Sequence, residues 1–427
     1  MNIIRDMCSE PQKVRLPEIV KYVILRVMRT IFLIDLLARI CFIQIFLIQG
    51  NRKGTHFDIT TLLFGDEKLA YYFSKLVYSG DPKIRFLGKT TYSNIPHIIT
   101  DTKADIVLVR THTVFSGFLS RKGFLILPMI RQTQDISGSW DAFLARLSRG
   151  RRRDIRAIEK LGYTYDITRE PKRFSFFYYK MYLPYILKRH SGSAKPSSFL
   201  ALKKCLRHGG LLFVKLDREY VSGLLYSIYN NGMQNICSGV YEGRDEYFAK
   251  GAVQAARYFL IRWSKQQGYK EIDHGLSDPF MKGGVFTYKR GWGTKAKLNK
   301  DIIRSTVYAL RVCNFGNAVR EFLADNPFIF VDSENLRGLI FLNSESPTEG
   351  KLKRLYRLHY TPGLSDLIII SYSPNNTSRS VFKVASGDRV LRKYSLIEGI
   401  PDSLDFLTKL APNMCVNIYL IDANASL

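Results

Sequence analysis

Apolar positions dominate the stretch from Tyr22 to Ile48, which is long enough to cross a bilayer as a helix. Arg26, Arg29, Asp35 and Arg39 interrupt it. A charge at the centre of a spanning helix costs ~2.5–3.5 kcal/mol on insertion scales. Asp35 and Arg39 lie one helical turn apart and can pair, which lowers that cost without removing it. Lys21 precedes the run and Arg52 and Lys53 follow it, so flanking charge sets no orientation. The pattern predicts a helix packed in a core or lying in a membrane interface, with a true span as the alternative.

Downstream the period changes repeatedly. Residues 66–80 read as an amphipathic helix with a glycine stop, and 104–111 and 122–130 as apolar strands. Ser137 or Ser139 can cap a following helix. A very basic helix, 149–162, ends at Gly162. From 163 to 300 strands and helices alternate. A short strand is followed by an aromatic-rich helix that Pro184 is expected to interrupt, then by a helix ending at Gly209–Gly210. A hairpin around Arg218 and Glu219 and a strand over 233–243 come next. A helix over 250–268 is bounded by Gly251 and Gly268, and a strand follows over 269–275. Segment 283–293 closes this unit, and 301–427 adds four strand-like runs with helices between them.

Composition narrows the class. The 427 residues suffice for two or three domains, since single cores stop growing near ~250–300 residues. Hydrophobic content of 46% excludes a disordered chain. Six scattered cysteines, with no C-x-x-C pair and no histidine at metal-ligand spacing, argue against a disulfide framework or structural zinc and favour a reduced compartment. A net charge of +27 predicts a polyanionic partner: nucleic acid, an anionic membrane face or a phosphate-bearing substrate. The first twenty residues lack the layout of a cleaved signal peptide, and no short-period repeat is present.

Several motifs then fall in a telling order: Trp263 to Gly268 at a helix end, Asp273–His274–Gly275 after a strand, Gly284 to Lys289, and Trp292–Gly293. Upstream, Trp140 precedes the basic run Arg149 to Arg156. Over roughly residues 100–300 this resembles the GNAT-like N-acyltransferases, and within them the Fem-type aminoacyltransferases. The resemblance implies an α/β (α+β) fold: a GNAT-like mixed sheet flanked by helices, in two half-domains; residues 301–427 fall outside the resemblance and read, by their strand and helix pattern, as a small C-terminal α/β domain. The expected boundaries are 1–52, 53–148, 149–300 and 301–427. It also implies transfer of an acyl or aminoacyl group to an amine acceptor. The donor would be acyl-CoA or an aminoacyl-tRNA, with no metal and no tightly bound cofactor. The setting would be cell-envelope or polysaccharide/peptidoglycan-type metabolism, in the cytoplasm and peripheral to the membrane.

Candidate chemistry follows from residue type and place. A helix opening at Lys250, Gly251 and Ala252 can receive a pyrophosphate on its free amides, or be a plain helix start. An acceptor amine has a pKa near ~10, so a base must take its proton. Asp273 and His274 are the candidates, although Asp273 can equally cap the turn that follows it. By the resemblance, Lys289 faces the donor phosphates or steadies an oxyanion, and Tyr288 protonates the leaving group; the alternative for Lys289 is a solvated strand position. Arg189 and His190 match the family's Arg–His before a long loop and are candidate substrate contacts. The basic helix Arg149 to Lys160 can track tRNA or anionic lipid. The aromatic run Phe174 to Tyr182 reads as core. A second hypothesis is a non-catalytic membrane- or RNA-binding module on a decayed acyltransferase fold.

Overall fold

The computed structural model describes residues 42–112, 123–189, 196–229, 232–298, 306–332, 334–342, 347–373, 379–384, 391–394 and 415–422. Two mixed sheets flanked by helices make up the architecture, which is the α/β class expected.

The chain enters the described region at β1 (Phe42–Asn51), followed by β2 (Asp58–Gly65), helix α1 (Glu67–Val77), β3 (Lys83–Thr91), α2 (Ile95–Asp101), β4 (Ile106–Thr111) and β5 (Phe124–Ile126). β1 corrects the helix expected there: Phe42–Ile48 is a strand, antiparallel to both β2 and β3. From Ile43 to Ile48 both of its faces are covered. Phe46 and Ile48 pack with Leu69 and Phe73 of α1, and Ile43, Ile45 and Leu47 with Ile95 and Ile99 of α2. A strand buried on two faces reads as a continuous apolar run, which local periodicity does not separate from a buried helix. Residues 22–41 of the same run lie outside the described residues.

Next come β6 (Ile130–Asp135), α3 (Trp140–Ala145), α4 (Arg149–Lys160), β7 (Thr164–Thr168), α5 (Pro171–Phe176), a π-helical turn (Phe177–Tyr182) and α6 (Leu183–Arg189). Ser139 caps α3 and Ser148 caps α4. The interruption expected at Pro184 does not occur, and the helix runs through it. The widened π turn precedes it, and such a turn relieves the missing amide and the ring clash of a proline. This turn lies hard against the second sheet. A Cβ on Gly239 would sit 2.4 Å from the Met181 carbonyl carbon.

Then follow α7 (Phe199–Leu206), β8 (Gly209–Leu216), β9 (Glu219–Tyr229), β10 (Gly232–Val240), α8 (Asp245–Ala249), α9 (Ala252–Gln266), β11 (Glu271–Ser277), α10 (Gly284–Gly291) and β12 (Lys295–Lys297). The chain ends with β13 (Val307–Val312), α11 (Asn317–Asp325), β14 (Phe328–Asp332), β15 (Asn335–Leu342), α12 (Glu349–His359), β16 (Asp366–Ser373), β17 (Arg379–Val384), β18 (Leu391–Tyr394) and β19 (Cys415–Asp422).

The seven-stranded sheet runs β12-β6-β11-β10-β9-β8-β7, and the twelve-stranded sheet runs β18-β17-β19-β16-β15-β14-β5-β13-β4-β2-β1-β3. These sheets cut across the expected boundaries. β6, expected in the first half-domain, lies between β11 and β12 of the second sheet. β13, from the expected separate C-terminal domain, pairs antiparallel with β4 and β5 and so extends the first sheet. Apolar strands carry no local mark of which sheet they join; long-range pairing decides it.

Candidate active site

β10 and β11 are parallel neighbours for only two residue pairs, Met233↔Ile272 and Gln234↔Asp273. Each strand then continues, to Val240 and to Ser277. Irregularities fall where they part, between Asn235 and Cys237 against β9 and between Asp273 and Leu276 against β6. A slot therefore opens at the carboxyl ends of a parallel pair, a place where α/β sheets receive ligands. The α9 crossover from β10 to β11 begins at this end. Gly251 precedes it with φ 83°, a left-handed conformation that favours glycine. The amides of Ala252, Val253 and Gln254 precede the first intrahelical bond, Ala255 to Gly251, and a helix start of this kind suits an anion. Ala252 is buried and the Lys250 side chain is exposed, while the Lys250 carbonyl accepts from the Tyr163 hydroxyl at 3.2 Å.

Lys289 comes from α10, a helix where the sequence alternative was a solvated strand. Phe286 and Lys289, three residues apart, both face inward. Lys289 is 7% exposed, and its Nζ donates to the Leu276 carbonyl at 2.8 Å. Burial pushes its pKa down to about 7, the neighbouring Arg257 pushes the same way, and Asp273 and Asp278 oppose them.

Arg257, on α9, was missed by the sequence reading because an arginine inside a helix looks like a solvated charge. It is buried, lies 4.6 Å from the Tyr288 ring and forms no ion pair among the described residues. Burial lowers its pKa. Arg151 of α4 also lies 4.6 Å from the Tyr288 ring and 5.7 Å from that of Trp292. Among the described residues, Arg257 Nη1, Tyr288 Oη and Gln254 Oε1 are buried without a hydrogen-bond partner.

His274 is buried too. Gln134 Nε2 donates to the Trp292 carbonyl, which turns Gln134 Oε1 toward His274 Nε2 at 2.7 Å. Nε2 must then carry the proton, leaving Nδ1 a bare acceptor with no partner among the described residues. Burial, Arg257 and Lys289 hold the imidazole well below its ordinary pKa, so it is neutral at neutral pH.

Asp273 is committed elsewhere. Its carboxylate pairs with Arg131 of β6 and accepts from the Gly275 amide at 2.8 Å, which is the turn cap the sequence allowed. Arg189 is engaged as well: it bonds Asp245 at 2.7 Å and lies 3.9 Å from the Phe248 ring, tying α6 to α8. His190 lies outside the described residues. The aromatic run Phe174 to Tyr182 supplies core, as expected, through Phe174, Phe177, Tyr178 and Tyr182.

Two residues far apart in sequence join the site. Asp278, just past β11, meets the phenol of Tyr72 on α1. Burial raises the Asp278 pKa; burial and the carboxylate together raise that of Tyr72. An aspartate beside proline in a turn gives no sequence signal of such a contact. Beside them, Leu69, Tyr72, Phe73, Pro279, Phe280 and Tyr308 are among the residues lining a small apolar pocket.

Among the described residues no group of His, Cys, Asp and Glu could hold a metal ion, and no helix is long and apolar enough to cross a membrane. Compared with solved structures, the chain is similar to FemX at 12% identity, covering 61% of this chain and 83% of that one, with a TM-score of 0.35. It is similar to L-PGS from Bacillus licheniformis at 14% identity, covering 64% and 86%, with a TM-score of 0.32. It is also similar to a GCN5-related N-acetyltransferase from Sphaerobacter thermophilus at 12% identity, covering 61% and 74%, with a TM-score of 0.27. No protein-family model matches the sequence, and no curated protein matches it.

Proposed function

We propose that this chain is an N-acyltransferase. It would transfer an acyl or aminoacyl group from a phosphate-bearing donor, acyl-CoA or aminoacyl-tRNA, to an amine. The observation that carries this reading is the slot between β10 and β11 flanked by two buried basic side chains, Lys289 and Arg257, neither in an ion pair among the described residues. An unpaired buried cation is costly, and a bound anion or developing oxyanion offsets that cost.

The donor phosphates would rest on the amides at the start of α9, with the acyl carbonyl in the slot. Arg257 would bind a donor phosphate, and the Tyr288 hydroxyl would face the oxyanion that forms as the amine attacks. Because Asp273 is committed to Arg131 and His274 is a weak base, Lys289 in its neutral form is the group whose basicity suits neutral pH. A C–N bond forms, the thioester or ester bond breaks, and the amine proton passes to Lys289 and on to the leaving group through Tyr288.

Isothermal titration with coenzyme A and with a non-hydrolysable aminoacyl-tRNA, joined to single-turnover kinetics, tests the reading. One donor should bind and Lys289→Met should lower turnover strongly. If neither donor binds, or Lys289→Met turns over like the parent, the proposal fails.

A further inference from the structure

The strand β3 ends the twelve-stranded sheet and, among the described residues, pairs with β1 alone. Its register sets Ile84 opposite Ile48, Phe86 opposite Phe46, Lys89 opposite Gln44 and Thr91 opposite Phe42. Directly opposed residues share a face, so Phe42, Ile84, Phe86 and Lys89 stand on one side of the sheet edge. Lys83 and Arg85, opposite Gln49 and Leu47, stand on the other, and Leu87 is the extra residue at the bulge. The Phe86 ring lies 5.5 Å from that of buried Phe46, yet the side chain stays largely exposed. Phe42 is 59% exposed, Ile84 40%, Phe86 56% and Leu87 47%. Lys83, Arg85 and Lys89 are exposed and form no ion pair among the described residues.

An apolar cluster with one unpaired cation on its own face and two more on the other side of the same open edge selects its partner. A second copy pairing edge to edge would set Lys83, Arg85 and Lys89 against their own kind, the arrangement that protects edge strands from pairing. The net charge of +27 adds to that repulsion. An anionic lipid surface satisfies both halves: apolar side chains enter the acyl boundary and the cations meet headgroups. Continuity points the same way, because the apolar sequence from Tyr22 leads directly into Phe42 at this edge.

We infer that the β3 edge, with Phe42, Ile84, Phe86 and Leu87 set among Lys83, Arg85 and Lys89, docks this protein on an anionic lipid surface. The inference is independent of the acyl-transfer reading and survives its failure.

The test is cosedimentation of the full chain with phosphatidylcholine vesicles, with and without phosphatidylglycerol. The parent should sediment with the anionic vesicles and be released by salt. Replacing Lys83, Arg85 and Lys89 together by alanine should lower partitioning by roughly a hundredfold, at about one decade or less per cation. Phe86→Ser with Leu87→Ser should lower it about tenfold or more at low salt. These five side chains are exposed, so the variants keep the fold, which circular dichroism checks. Three results would overturn the inference: equal binding to both vesicles, variants that partition like the parent, or a vesicle-free dimer abolished by the serine pair.

Discussion

The Nζ of Lys289 donates to the carbonyl of Leu276 at 2.8 Å, which fastens α10 to the end of β11 beyond the point where β11 leaves β10. The contact keeps a buried amine beside the slot. It also makes the site depend on pH in a defined direction.

Burial lowers the Lys289 pKa from 10.5 to about 7. The unfolded chain therefore binds this proton more readily than the folded one between those values. Stability should rise with pH across that window, by at most about 1.4 kcal/mol per pH unit from this group, and fall as pH drops toward 7. Lys289→Met should remove that slope and raise the urea midpoint at pH 7. Turnover of the parent should climb through pH 7 as the amine deprotonates, and a pH–rate profile of Lys289→Met should lack that limb.

Arg257 offers a different readout. Replacing it with methionine keeps the bulk but removes the charge beside Tyr288, so donor binding should weaken by about 1–3 kcal/mol. Arg257→Lys should not restore it, since an ammonium neither stacks on the ring nor forks to two oxygens. Titration calorimetry of both variants with the donor that binds decides the matter. Parent-like affinity in Arg257→Met would remove this residue from the site.

Asp278 couples the two sheets through Tyr72. Its folded pKa is raised, so its contribution is fully present at acid pH and is lost as pH rises through that value. Asp278→Asn should therefore stabilise the protein at neutral pH by about 1 kcal/mol, and the gain should vanish on acidification. Urea melts at two pH values measure this, and an equal effect at both would show that the carboxylate is not desolvated.

Gly239 tests the packing that supports the slot. A Cβ there would lie 2.4 Å from the Met181 carbonyl carbon and 2.5 Å from the Tyr182 amide nitrogen, both backbone atoms. Gly239→Ala should cost about 1–3 kcal/mol, because backbone yields less readily than a side chain. A thermal melt unchanged from the parent would mean that the π turn is free to move away from β10.

The sequence alone narrowed the start of α3 to Ser137 or Ser139, of which Ser139 is the cap, and determined the run from the β8–β9 hairpin through α9 to β11. Short-range chemistry sets these: caps, glycine stops and apolar periods act within a few residues. Lys289 and His274 were candidates by type and order, and their burial was not legible. Only the tertiary structure decided that Phe42–Ile48 is a strand, that β6 crosses into the second sheet and that β13 returns to the first. It alone turned Arg257 inward, gave Asp273 to Arg131 and brought Tyr72 to Asp278. Strand partners and the burial of a charge are set by contacts between distant segments, and neither leaves a mark on the local alternation of apolar and polar residues.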